Sequence, residues 1–223
     1  MLYSNEETKK RIVDQLFWDS RVDASEVLVE VSNGAVHLYG TVPTAYARES
    51  AESDVWAVPG VKVVENRIAV RLDQPAAPPR AELRDNIRNI FDWDTALSGE
   101  DIVISVDNGV VTLEGAVGSY WQKKRAEELA KHVAGVILVD DRLGVTPKHD
   151  LNDEIIAEDI IDALDRNIDI DIDMIDVMVE EGRVRLSGKV PDWAAYKAAN
   201  TIVQYTAGVT DLQNDLVIAP DSY

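Results

Sequence analysis

The 223-residue chain has no cysteine, which excludes disulfides and every metal or redox site built on thiolates. That composition fits a reducing compartment. No segment approaches the roughly 18 consecutive apolar residues that cross a bilayer. Histidine is scarce, at three residues, and aromatics make up only 6%. Basic side chains are few as well: 22 against 41 acidic, a net charge of −19. A surface of that sign repels nucleic acid and anionic headgroups at long range and favours basic partners. The first residues, Met1 to Glu7, are polar and lack the apolar stretch of a secretory signal. Read as a full-length chain, the protein is expected in the cytoplasm; read as a chain that has lost a leader, in the periplasm.

What is present is an ordinary globular balance, 46% hydrophobic and 28% charged, far from a disordered composition. It is also a repeat. The segment Val27-Leu28-Val29-Glu30-Val31-Ser32-Asn33-Gly34 returns as Ile102 to Gly109, 75 residues on, and as Ile175 to Gly182, a further 73 residues on. The same offsets carry Ile12 to Ile87 and Ile160, Ala51 to Ala126 and Ala199, and Val70 to Val145 and Ile218. Similarity at a fixed period decides the architecture before any local reading.

Each copy reads as helix, strand, strand, helix, strand. Ile12 and Leu16, Ile87 with Ile90 and Phe91, and Ile160 with Ala163 and Leu164 mark a helical apolar stripe. Val27, Val29 and Val31 alternate with Leu28 and Glu30, the period of a strand with one face buried. Asn33-Gly34 and Asn108-Gly109 suit a two-residue type I′ hairpin, and Glu181-Gly182 is a weaker version of it. The second strand buries Val36 and Leu38, Val111 and Leu113, and Val184 and Leu186, and is followed by Gly40, Gly115 and Gly188. The second helix is expected to end in a left-handed cap at Gly60, Gly135 and Gly208. A strand–helix–strand crossover leaves its strands parallel. The expectation is an α+β chain of three tandem αββαβ units, each a small mixed three-stranded sheet with two helices on one face. The units span 1–73, 80–146 and 150–223, with linkers at 74–79, which is proline-rich, and 147–149.

The pattern that runs through Asn108-Gly109-Val110-Val111-Thr112-Leu113-Glu114-Gly115-Ala116-Val117, then an alanine-rich helix, then Ala134-Gly135-Val136 and a last strand to Val145, resembles the BON domain. All three copies share it. BON domains occur in osmotically inducible periplasmic proteins, envelope lipoproteins and secretins. The resemblance implies the αββαβ fold and a non-catalytic role: protein association, contact with phospholipid or a membrane surface, or envelope maintenance under stress.

Three sets of residues bear on function. The histidines His37, His132 and His149 fall on a strand, a helix and a linker, and none recurs across the copies. With no glycine-rich phosphate loop, no His-Glu-x-x-His and no serine elbow, the reading is not an enzyme, with no cofactor and no small-molecule substrate. Tyr120-Trp121-Gln122-Lys123-Lys124-Arg125 opens the second helix of the middle copy with aromatics beside cations. Tyr120, Trp121, Lys123, Lys124 and Arg125 suit a membrane interface or an acidic partner. The plain alternative is a helix start with solvated lysines, since cations there oppose the helix dipole. The third copy holds 5 basic and 17 acidic residues, net −12, against −4 and −3 for the other two. Its Asp169, Asp171 and Asp173 are weak candidates for a hard cation, because acids alternating on an extended segment share a face; a solvated acidic surface is favoured. Trp18, Trp93, Trp56 and Trp193 are read as packing residues. Expected partners are a protein, a second copy of the chain or a membrane surface, and not nucleic acid.

Overall fold

A computed structural model describes residues 3–71, 80–148 and 151–219. The expected linker 74–79 and His149 lie outside the described residues. The first copy runs α1 (Asn5–Trp18), β1 (Val27–Ser32), β2 (Ala35–Val42), α2 (Ala45–Trp56), β3 (Val63–Asn66) and β4 (Ala69–Val70). The second has α3 (Arg80–Trp93), β5 (Asp101–Asp107), β6 (Val110–Val117), α4 (Tyr120–Lys131) and β7 (Leu138–Val145). The third has α5 (Asp153–Asp165), β8 (Ile175–Glu180), β9 (Arg183–Val190), α6 (Trp193–Tyr205) and β10 (Asp211–Ile218). The α+β reading with three repeated αββαβ units holds.

The hairpin's second strand is the central one in every sheet. In the first copy β1 pairs antiparallel with β2, and β3 and β4 pair parallel with it; in the third, β8 and β10 flank β9 in the same senses. The last strand of the first copy is interrupted at Arg67–Ile68, where the Asn66 side chain accepts from the Ile68 N–H. Asp141 and Asn214 make the same contact with Leu143 and Leu216 without interrupting the strand.

Helix α1 begins where Ser4 and Glu7 cap each other's backbone N–H groups, a capping box. Its buried face is Thr8, Ile12 and Leu16. Ile12 and Leu16 pack with Ala47, Ala51 and Val55 of α2 and with Val29, Val36, Leu38 and Val42 of the sheet, which puts both helices on one face. In the third copy Ile156, Ile160 and Leu164 of α5 pack with Ala195, Ala199 and Val203 of α6 over Val184 and Leu186. By contacts the chain forms two compact units, one of Met1–Phe91, Ile104–Thr112 and Glu127–Asp140, the other of Asp92–Val103, Leu113–Ala126 and Asp141–Tyr223.

The start of each first helix also holds the hairpin turn. Asn5 accepts from the Asn33 N–H (3.0 Å), Arg80 donates to the Asn108 side chain (3.1 Å), and Asp153 accepts from the N–H groups of Glu181 (2.8 Å) and Gly182 (2.9 Å). The turns take the expected left-handed pair, including Glu181 at φ 51°.

Two expectations about glycines are corrected. Gly60 and Gly208 are left-handed, but the helices before them end at Trp56 and Tyr205, with Ala57 and Thr206 as caps. They shape the turn that returns the chain to the sheet, where Lys62 and Thr210 donate to Gly34 and Gly182; Gly135 does the same through Ile137 and Gly109. Gly40, Gly115 and Gly188 lie inside the second strand, not after it. They need to be glycine because φ is +114° to +124° and a Cβ would collide with the carbonyl oxygens of Glu26, Asp101 and Met174. Among the described residues no helix is long and apolar enough to cross a membrane.

Candidate functional site

The aromatic and basic cluster at the start of α4 is partly covered, with Tyr120 buried and Trp121, Lys123, Lys124 and Arg125 half-buried. Tyr120 is buried, in one apolar cluster with Ile156, Ile160 and Ala195 of the third copy. The Trp121 ring is half-buried, 6.3 Å from that of Tyr205. Lys123 donates to the Leu143 carbonyl at 2.8 Å, Lys124 lies 5.9 Å over the Tyr120 ring, and Arg125 donates to Asp94 at 3.1 Å. Each of the five therefore has a contact within the second compact unit, with the acidic third copy supplying those of Tyr120 and Trp121.

The acidic run in the third copy makes turns. The segment is not extended: a hydrogen-bonded turn at residues 168–169 leads into a 3-10 turn at Ile172–Met174. Asp169 donates its N–H to Asn167, and the Asp171 carboxylate caps the 3-10 turn through the Asp173 N–H. Asp19 and Asp94 hold the position of Asn167 and accept from Arg21 and Ala96, while Asp23 holds that of Asp171 and accepts from Ser25. Asn167 thus repeats a turn contact made in all three copies, and Asp171 one made also by Asp23. Among the described residues no group of three or more His, Asp or Glu side chains converges as a metal site.

The tryptophans divide. Trp56 packs on the first core, and Trp193 stacks on Tyr196 with centroids 4.9 Å apart. Trp18 and Trp93, by contrast, are 81% and 88% exposed, and Phe17 is 73% exposed. The packing expected of Trp18 and Trp93 is thus corrected. At 100° per residue, positions 17 and 18 rotate away from the stripe that ends at Leu16. Phe17 meets Trp18 edge-on at 5.4 Å. The equivalent positions to Phe17 are Asp92 and Asp165, so the pair belongs to the first copy alone.

A second group missed in the sequence lies between α1 and α2. Arg21 donates to both oxygens of Asp19 (2.9 and 2.8 Å) and reaches Asp54 at 3.4 Å. Asp54 is 5% exposed, and among the described residues its Oδ2 has no hydrogen-bond partner. Burial, reinforced by the neighbouring Asp19 carboxyl, pushes the Asp54 carboxyl up to about 7 against the pull of Arg21. The same guanidinium holds Asp19 well below the usual carboxylate range. The repeat offsets would have flagged the site, since Leu129 and Ile202 stand where Asp54 does.

Two of the histidines are described. His37 lies 2.7 Å from Glu65, whose carboxyl is held low chiefly by Arg67. His132 lies 2.7 Å from the Glu128 carbonyl and stacks on Tyr46. The side face of the third sheet carries an open groove of about 400 Å³ lined by Met178, Glu180, Arg183, Arg185, Asp211 and Gln213.

The family model described as BON domain matches residues 4–71, 79–147 and 152–220. Among curated proteins, the chain is 28% identical over 201 residues to Osmotically-inducible protein Y of Escherichia coli (strain K12), covering 82% of this chain and 92% of that one. Among solved structures it matches CdsD, a structural protein of the type III secretion system of Chlamydia trachomatis, with 15% identity, 97% and 93% of the two chains covered and a TM-score of 0.29. A structure of the CdsD C-terminal domain matches at 16% identity, 96% of each chain covered and a TM-score of 0.28. Likeness that slight carries no argument.

Proposed function

Because the chain belongs to the BON-domain family, with three copies filling it, we propose that it is a non-enzymatic binding protein that associates with a protein partner under osmotic stress. The observation that carries this reading is the exposure of Phe17, Trp18 and Trp93 on a chain otherwise short of aromatics. Tryptophan supplies a large apolar surface and one donor, which suits a contact that is partly wet. A net charge of −19 favours a partner with basic groups around an apolar seat. The similarity to an osmotically inducible protein supports the stress setting.

A second reading, phospholipid contact through the middle copy, is favoured by Trp93 alone. The Tyr120 to Arg125 cluster supports it less, because Tyr120 is buried and Lys123 and Arg125 are hydrogen-bonded within the unit. The same experiment tests both. Wild type, Phe17→Ala/Trp18→Ala and Trp93→Ala are presented to a lysate of osmotically shocked cells and to vesicles of zwitterionic and anionic lipid. The protein reading expects a discrete partner captured by wild type and lost with Phe17 and Trp18. Flotation with vesicles, lost in Trp93→Ala, would replace it with the lipid reading. Capture unaffected by either variant would refute the assigned surface.

A further inference from the structure

Consecutive copies meet through one repeated pair of rings. In the first compact unit Tyr46, the second residue of α2, stacks on His132, the first residue beyond α4, with centroids 3.7 Å apart. In the second unit Trp121, the second residue of α4, lies 6.3 Å from Tyr205, the last residue of α6, at an interplanar angle of 35°. The offsets of 75 and 73 make these the same contact, since they carry Tyr46 to Trp121 and His132 to Tyr205. Composition does not account for this, because the paired residues differ while their places do not.

The offsets also say what stands at the two positions left over. The third copy's counterpart of Tyr46 and Trp121 is Ala194; the first copy's counterpart of His132 and Tyr205 is Ala57. Both alanines are exposed. Trp193, the counterpart of buried Tyr120, stacks on Tyr196 of its own helix at an interplanar angle of 9°. We propose that the ring pair sets the register between consecutive copies, and that Ala57 and Ala194 are caps that deny a second copy of the chain the same contact.

The need for a cap is physical. The start of one copy's second helix docks on the end of the next copy's, so the two halves of the contact differ. A contact of unlike halves that does not close on itself propagates into open chains unless an exposed half is altered. Removing both rings takes away the aromatic pair and its area at the unpaired end. The charges of −4 and −12 on the first and third copies add repulsion.

The test places rings at both positions in the whole 223-residue chain. Ala57 has φ −70° and ψ −12°, and Ala194 lies on an exposed helix position, so Ala57→Tyr and Ala194→Trp are free of backbone strain. Sedimentation equilibrium should find the wild type at monomer mass from micromolar to near-millimolar concentration. The double variant should gain average mass with concentration, and each single variant should associate roughly two- to tenfold more weakly, the worth of one aromatic pair. A double variant that stays monomeric, or a wild type that itself chains, would overturn the caps. Separately, Tyr46→Ala should speed amide exchange in residues 128–134 by about two- to tenfold with far-UV circular dichroism unchanged. No change in that exchange would overturn the docking role.

Discussion

Replacing Asp54 with asparagine should make the chain more stable, and more so as pH rises. In the unfolded chain an aspartate titrates near 4 (roughly 3.9); in the fold Asp54 is pushed up to about 7. The folded state thus binds the proton more tightly. Its contribution to stability is full below about pH 4 and is lost as pH climbs to about 7. Three units at about 1.36 kcal/mol each bound the effect near 4 kcal/mol, of which about 3 kcal/mol develops between pH 4.5 and pH 8. The groups facing Asp54 do not blur this window. Asp19 on the C-cap of α1 is depressed by Arg21, so its contribution is lost only as pH falls below about 4. Arg21, Gln15 and Tyr46 are present in both proteins, as are the histidines, and cancel in the difference. Urea unfolding of wild type and Asp54→Asn at pH 4.5, 6 and 8 measures it. The variant should lead by about 1 kcal/mol at pH 4.5 and by about 3–4 kcal/mol at pH 8. A difference that is flat with pH, or a wild type that gains on the variant toward pH 8, would refute the assignment of a buried, high carboxyl.

Four other outcomes follow from the geometry. Gly115→Ala should cost about 2–4 kcal/mol by thermal unfolding, since it combines a left-handed backbone at φ +121° with a collision against the Asp101 carbonyl. Asp153→Ala should cost about 1–2 kcal/mol because it strands two turn N–H donors, while Glu181→Asn should gain a few tenths at φ 51°; matched urea curves decide both. Millimolar calcium should produce no heat in calorimetry and no shift in Tm, because the acids at 169, 171 and 173 are exposed turn residues; a saturable heat would restore the cation reading.

The repeat made the fold legible. Alternating valines, the Asn-Gly turns and the alanine-faced helix are each ambiguous alone, and their recurrence at fixed offsets removes the ambiguity. Strand order was not legible, because hydrophobic alternation tells which face is buried and not which strand is central. The break in the last strand at Arg67–Ile68 left no signature, since Asp141 and Asn214 make the same side-chain turn in unbroken strands. The candidate site was read less well. Tyr120 to Arg125 looked like an outward patch because sequence shows aromatics beside cations and not the third-copy core that takes Tyr120 in. Trp18 and Trp93 were misread for the opposite reason: large apolar residues are usually packed, but helical phase had already placed them off the buried stripe.

What the copies share builds the sheet and its two helices; it cannot distinguish this chain from any other array of the same domain. Specific behaviour must therefore sit where the copies differ. The offsets isolate those places without reference to any relative: Phe17 against Asp92 and Asp165, Asp54 against Leu129 and Ile202, and Ala57 and Ala194 against ring-bearing counterparts. The first is an exposed apolar surface, the second a buried charge beside the first α-helix pair, the third a pair of deleted contacts. None of them strengthens the fold of its own copy, and Asp54 weakens it as pH rises above about 4. A feature that costs its copy stability, or exposes an indole to water, persists only under a demand from outside that copy: a partner or a neighbour.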